Sequence, residues 1–182
     1  MRPVRAPSAA APPLAAAALA LAIAAGIALR LGNLRAQVLG GDEVHALLAA
    51  AERPLGAILV TYQQADHSIP LTALYRLWID AGGTLSESVL RAPVLLAGVA
   101  LLAVLPLAAR RAFGAAFAAR YAWLLAIAPG LVLYARIVRS YAPMVLCACL
   151  AAIAAWRWLE GGRRRAALAY AALAALATWL HL

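Results

Sequence analysis

Charged residues are absent between Arg5 and Arg30, between Arg91 and Arg110, between Arg120 and Arg136, between Arg139 and Arg157, and from Ala166 to Leu182. Ala, Leu, Val and Ile fill most of these gaps. A helix needs about 20 mostly apolar residues to cross a bilayer, and backbone immersed in lipid must close its own hydrogen bonds. This spacing of charge restricts the chain to an all-α architecture, a polytopic transmembrane helix bundle. Spans are expected at about 12–31, 90–109, 113–135, 140–157 and 166–182.

Composition agrees with that reading. Hydrophobic residues make up 66% of the 182 residues and charged ones 13%, with a mean hydropathy of +0.87. A soluble domain is nearer half apolar and a quarter charged. The balance excludes a disordered chain, a disulfide-stapled secreted module and most soluble enzymes. All 16 basic residues are Arg, and the formal net charge is +9. In so apolar a chain, loops facing anionic lipid account for that charge better than nucleic acid does, so membrane lipids are the expected partner. Cys147 and Cys149 lie two residues apart within one expected span, on different helix faces. Neither a disulfide nor a metal pair is expected of them. The first run, with Arg2 and Arg5 before it, also has the form of a signal peptide, but its length and the spans that follow favour a retained helix. The last span is still running at Leu182, so the chain reads as the N-terminal portion of a longer protein.

The stretch from 32 to 88 is different in kind. It holds six of the seven acidic residues, and its apolar runs are too short to cross a bilayer. It is expected to be a long outer loop carrying short membrane-surface helices. Asp42 to Arg53 reads as one such helix, ended by Pro54. A second begins near Pro70, with Leu71, Leu74, Tyr75 and Trp78 at helical spacing and the aromatics at headgroup level, and Gly82-Gly83 breaks it. Arg2, Arg5, Arg110, Arg111, Arg120, Arg157 and Arg163 to Arg165 fall on one side of the expected topology, against Glu160 alone. The other side has seven Arg and six acids. The positive-inside rule therefore puts the N-terminus in the cytoplasm and the acidic loop outside.

Three constellations could carry chemistry. Gly40-Gly41-Asp42-Glu43-Val44-His45 puts adjacent carboxylates just beyond the first span, with Asp42 and His45 on one helix face. Such carboxylates suit proton transfer, although an N-cap and a first-turn acid have the same pattern. Asp66-His67 opens a second polar turn. With Asp42 and His45 it has the donor types of a zinc or manganese site, but no close ligand spacing, so no metal cofactor is expected. Arg136 and Arg139, one helical turn apart in Tyr134 to Tyr141, offer guanidinium groups to a phosphate at the lipid surface, or anchors among headgroups. Arg91, at the start of the second span, belongs with them.

Taken in order, these pieces resemble the membrane-embedded glycosyltransferases of the GT-C superfamily, above all the protein O-mannosyltransferases and their bacterial relatives. Asp42-Glu43-Val44-His45 is similar to the acidic segment of their first outer loop. Asp66 to Leu71 resembles their His-Pro-Pro-Leu segment, with Ser68-Ile69 loosening the spacing. Leu90-Arg91-Ala92-Pro93 looks like their Arg-Leu-Pro segment. Arg136 to Tyr141 resembles their Arg-x-x-Arg-x-Tyr hairpin, and Thr178 to His181 a Thr-His pair of a later span. The resemblance implies an enzyme of the bacterial inner membrane that moves a sugar from a polyprenyl-phosphate donor to an acceptor hydroxyl on a lipid, glycan or protein. Asp42 and Glu43 would then be catalytic. His45, Asp66, His67, Arg91, Arg136, Arg139, Tyr141 and His181 would bind substrate. A non-enzymatic polytopic protein, such as a transporter or scaffold, is the alternative.

Overall fold

The computed structural model describes residues 13–41, 43–61 and 68–181, without the side chains of Arg35 and His45. Among the described residues every regular element is helical. In chain order these are α1 (Pro13–Leu31), a 3-10 turn (Leu34–Ala36), α2 (Glu43–Glu52), α3 (Leu55–Val60), α4 (Ile69–Asp80), α5 (Glu87–Phe113), α6 (Ala115–Ile127), α7 (Pro129–Tyr134), α8 (Tyr141–Gly161) and α9 (Arg164–Leu180). Three helices, α1, α5 and α8, are long and apolar enough to cross a membrane.

Two expected spans take another form. The run at 113–135 breaks at Ala128, because Pro129 has no N–H to continue α6, and α7 starts on that proline. α9 is apolar but 17 residues long. The second expected span is longer at both ends than its uncharged core. Ser86 caps α5 by accepting the Val89 N–H at 3.4 Å, Glu87 stands in the first turn, and Arg110 and Arg111 stand in the last. These charges complement the helix dipole at both ends.

α1, α5, α6 and α8 pack together, and α9 lies along α8. Small residues set the close approaches. A Cβ at Gly26 would run into Leu102 and lie 3.1 Å from the Ala126 Cβ, so α1, α5 and α6 meet there. Likewise, a Cβ at Gly98 would collide with Ala135. Small residues are how membrane helices gain contact where lipid offers no hydrophobic drive. Many large apolar side chains, among them Leu14, Leu21, Leu96, Leu107, Leu124 and Leu168, remain exposed, as lipid-facing positions do.

α2, α3 and α4 cover one end of the bundle. α2 runs from Glu43 to Glu52, within the expected Asp42 to Arg53, and Pro54 follows it as the first flank of α3. The α4 stripe divides: Leu71 and Tyr75 are buried with Ala50, Leu90, Val94 and Val138, whereas Leu74 and Trp78 stay exposed. Half of the expected membrane-surface face is therefore protein core. Arg76 ties α4 to α2, with Nη1 3.5 Å from the carbonyls of Ala50 and Ala51 in the last turn, and pairs with Asp80. At Gly83 the main-chain N–H returns to the Trp78 carbonyl at 2.9 Å and closes the helix.

Candidate functional site

The end of the bundle covered by α2 to α4 gathers most of the polar side chains singled out above. Four segments converge there: the turn after α1, the start of α5, the hairpin 135–140, and the end of α9.

Glu43, the first residue of α2, is 7% exposed. Its Oε1 accepts the Val138 N–H at 2.5 Å and its Oε2 accepts the Gly40 N–H at 3.3 Å. Both oxygens are thus engaged by main chain, one from its own loop and one from the hairpin. The second contact is the reach-back of a helix-start acid to the main chain three residues before it. The first is not local, and it fixes where the hairpin sits. The Tyr75 hydroxyl donates to the Leu90 carbonyl at 2.7 Å. Its phenol is held well above its ordinary proton affinity, by burial first and by the Glu43 charge second.

Arg91 is 2% exposed. Its Nη1 donates to the Leu34 carbonyl at 3.4 Å and its Nη2 to the Gln37 carbonyl at 2.5 Å. The residue therefore organises the turn that leads to position 42, and its guanidinium is directed to main chain in that turn. Its Nε is shut off from solvent and has no hydrogen-bond partner among the described residues.

The hairpin is irregular, not helical, so helical spacing does not relate Arg136 to Arg139. Arg136 lines a groove beside Leu29 and Val132. Arg139 lies over the Tyr141 ring, 5.8 Å from its centroid. Tyr141 also meets Tyr134 at 4.7 Å and the His181 ring edge-on at 5.0 Å. His181 ends α9, so this ring stack joins the start of α8 to the end of α9. Thr178, the other half of the expected Thr-His pair, donates to the Ala174 carbonyl of its own helix at 3.1 Å. Asp42, Asp66, His67 and the side chain of His45 lie outside the described residues. Among the described residues no group of three or more His, Cys, Asp and Glu could hold a metal ion.

One residue escaped the sequence reading. Arg30, in the last turn of α1, is fully buried. Its Nη1 donates to the carbonyls of Gly26 at 2.9 Å and Ala126 at 3.4 Å, and its Nη2 to that of Leu125 at 3.2 Å. In an unbroken helix the Leu125 carbonyl would accept from position 129, but Pro129 has no N–H to give. Arg30 supplies the missing donor, and its positive charge sits at the negative end of α6. It thereby stabilises the break that turns α7 toward the hairpin. A small cavity of about 20 Å³ lies beside it, lined in part by Gly98, Tyr134 and Tyr141. The available signal was Pro129, which marks a carbonyl in need of a donor.

No family model, curated protein or solved structure matches the chain.

Proposed function

We propose that this chain carries the catalytic end of a GT-C-type membrane glycosyltransferase, which moves a sugar from a polyprenyl-phosphate donor to an acceptor hydroxyl. The observation that supports this reading is convergence. Glu43, Arg91, Arg139, Tyr141 and His181 are scattered along the sequence, yet all belong to segments that meet at one end of the bundle. Asp42 is adjacent in sequence to the Glu43 clamp.

In this mechanism Asp42 accepts the acceptor's proton as its oxygen attacks the anomeric carbon. The bond from that carbon to the phosphate oxygen breaks, and the phosphate departs as an anion that needs charge, not a proton. Arg139 meets that charge, and Arg136 of the same hairpin is the second candidate for it. Glu43 and Arg91 position the two segments that flank the reacting atoms. The acceptor is a lipid, a glycan or a protein, and the site faces outward from a bacterial plasma membrane. Transfer of radiolabelled sugar from a panel of polyprenyl-phosphate donors by the full-length gene product tests the proposal. No transfer from any donor, with folded protein in the membrane, would reject it.

Two further outcomes are expected. Arg139→Lys should raise the Michaelis constant for the donor several-fold although the charge is kept, because Lys is a point charge and Arg a planar fork that holds two oxygens. Initial rates against donor concentration, with acceptor saturating, check this. An unchanged constant would mean that Arg139 only anchors the hairpin among headgroups. For topology, Gln64→Cys in a background with Cys147 and Cys149 replaced by Ala should react with an impermeant thiol reagent in intact cells, and Arg163→Cys should not. The reverse pattern would invert the membrane orientation.

A second reading is favoured by the main-chain engagement of both Glu43 and Arg91. It makes the polar end of the bundle purely architectural, in a transporter or scaffold. Under it, neutral substitution at Asp42 leaves the protein's activity intact.

A further inference from the structure

We propose that the cavity beside Arg30 is a binding site for a single halide-sized anion, chloride above all. The cavity lies among α1, α5, α7 and α8 and has a volume of about 20 Å³. One water needs roughly 10–15 Å³, so the space admits a single small ion and not a phosphate ester or a lipid chain.

Three observations select an anion. First, Arg30 is fully buried, and among the described residues its guanidinium bonds only to carbonyls, those of Gly26, Leu125 and Ala126. Carbonyl dipoles orient a cation without cancelling its charge, and an uncancelled charge within a membrane span is costly. Second, the Arg30 Nε is buried with no hydrogen-bond partner among the described residues. A Cβ at Gly98 would lie 3.7 Å from that nitrogen, and Gly98 is part of the cavity wall. The unpartnered nitrogen therefore borders the space that the missing side chain of Gly98 leaves open. Third, the wall contains no carboxylate. Its polar side chains are Arg30, Tyr134 and Tyr141, all able to donate, and Leu101, Leu131 and Val145 are apolar. A water would satisfy the Nε hydrogen and leave the charge standing. A halide answers both, through a charge-assisted hydrogen bond.

The inference stands apart from the transferase reading, since ion binding needs no sugar transfer. Equilibrium dialysis of the full-length product in detergent against radiolabelled chloride tests it, with gluconate as the balancing anion. Binding should saturate at a single ion per chain. Bromide should compete, and gluconate, too large for the cavity, should not. Ala142→Val adds bulk to the cavity wall and keeps Arg30, so it should weaken chloride binding about tenfold or more. Arg136→Gln, in the neighbouring hairpin, should leave binding unchanged. Crystals of the unaltered protein soaked in bromide give a second reading that depends on no variant: the anomalous peak should lie against the Arg30 Nε. Absence of saturable binding, a bromide peak only elsewhere, or full binding by folded Ala142→Val protein would overturn the proposal. Loss of binding in Arg136→Gln would overturn it too, by moving the ion to the hairpin.

Discussion

Asp42→Asn is expected to lower sugar transfer by the full-length enzyme roughly 100- to 10,000-fold while leaving its amount in the membrane unchanged. Asn keeps the size of Asp and still caps a helix, so the start of α2 should survive. It cannot take a proton from the acceptor. Glu43 cannot stand in, because both of its oxygens are held by the N–H groups of Val138 and Gly40. The measurement is transfer rate at saturating donor and acceptor, beside quantitative blotting of membranes. Activity within a few-fold of the unaltered enzyme would remove Asp42 as the base and favour the architectural reading of this end of the bundle.

The second large effect concerns Arg30. Arg30→Leu should destabilise the bundle by about 2–4 kcal/mol, since it leaves the Leu125 and Ala126 carbonyls without their donor in a dry interior. Pro129→Ala restores an N–H at the position from which Leu125 would normally receive one. The cost of Arg30→Leu should therefore be smaller in the Pro129→Ala background, by about 1–2 kcal/mol. Thermal or denaturant unfolding in detergent, run as a double-mutant cycle, reads this coupling. Strictly additive effects would mean that Arg30 does not replace the proline's missing donor.

The helices were legible because charge spacing and proline act locally. Glu43–Glu52 follows from the acids that open it and Pro54 beyond it, and α5 follows from Ser86, Glu87 and the Arg pair at its end. What escaped were contacts in which one partner is main chain. Arg91 meets the carbonyls of Leu34 and Gln37, Glu43 meets the Val138 N–H, and Arg30 meets Leu125 and Ala126. Main-chain groups carry no residue identity, so no motif announces them. Arg30 therefore has the look of a charge that ends a span. Leu71, Leu74, Tyr75 and Trp78 pose another difficulty. Lipid and protein interior are both apolar, so spacing alone cannot separate the pair that packs inward from the pair that faces outward.

The Glu43 carboxylate has a mechanical consequence. It joins the loop at Gly40 to the hairpin at Val138, so neither segment can move off without disturbing the other. Drawing the hairpin away strips a donor from a buried anion and leaves a strand of main chain with an orphaned N–H. Both faults are repaired only by return or by water entering from the polar end. The arrangement behaves as a latch with two settings and no comfortable halfway position, so the loop at Gly40 and the hairpin at Val138 part in a single step or stay joined.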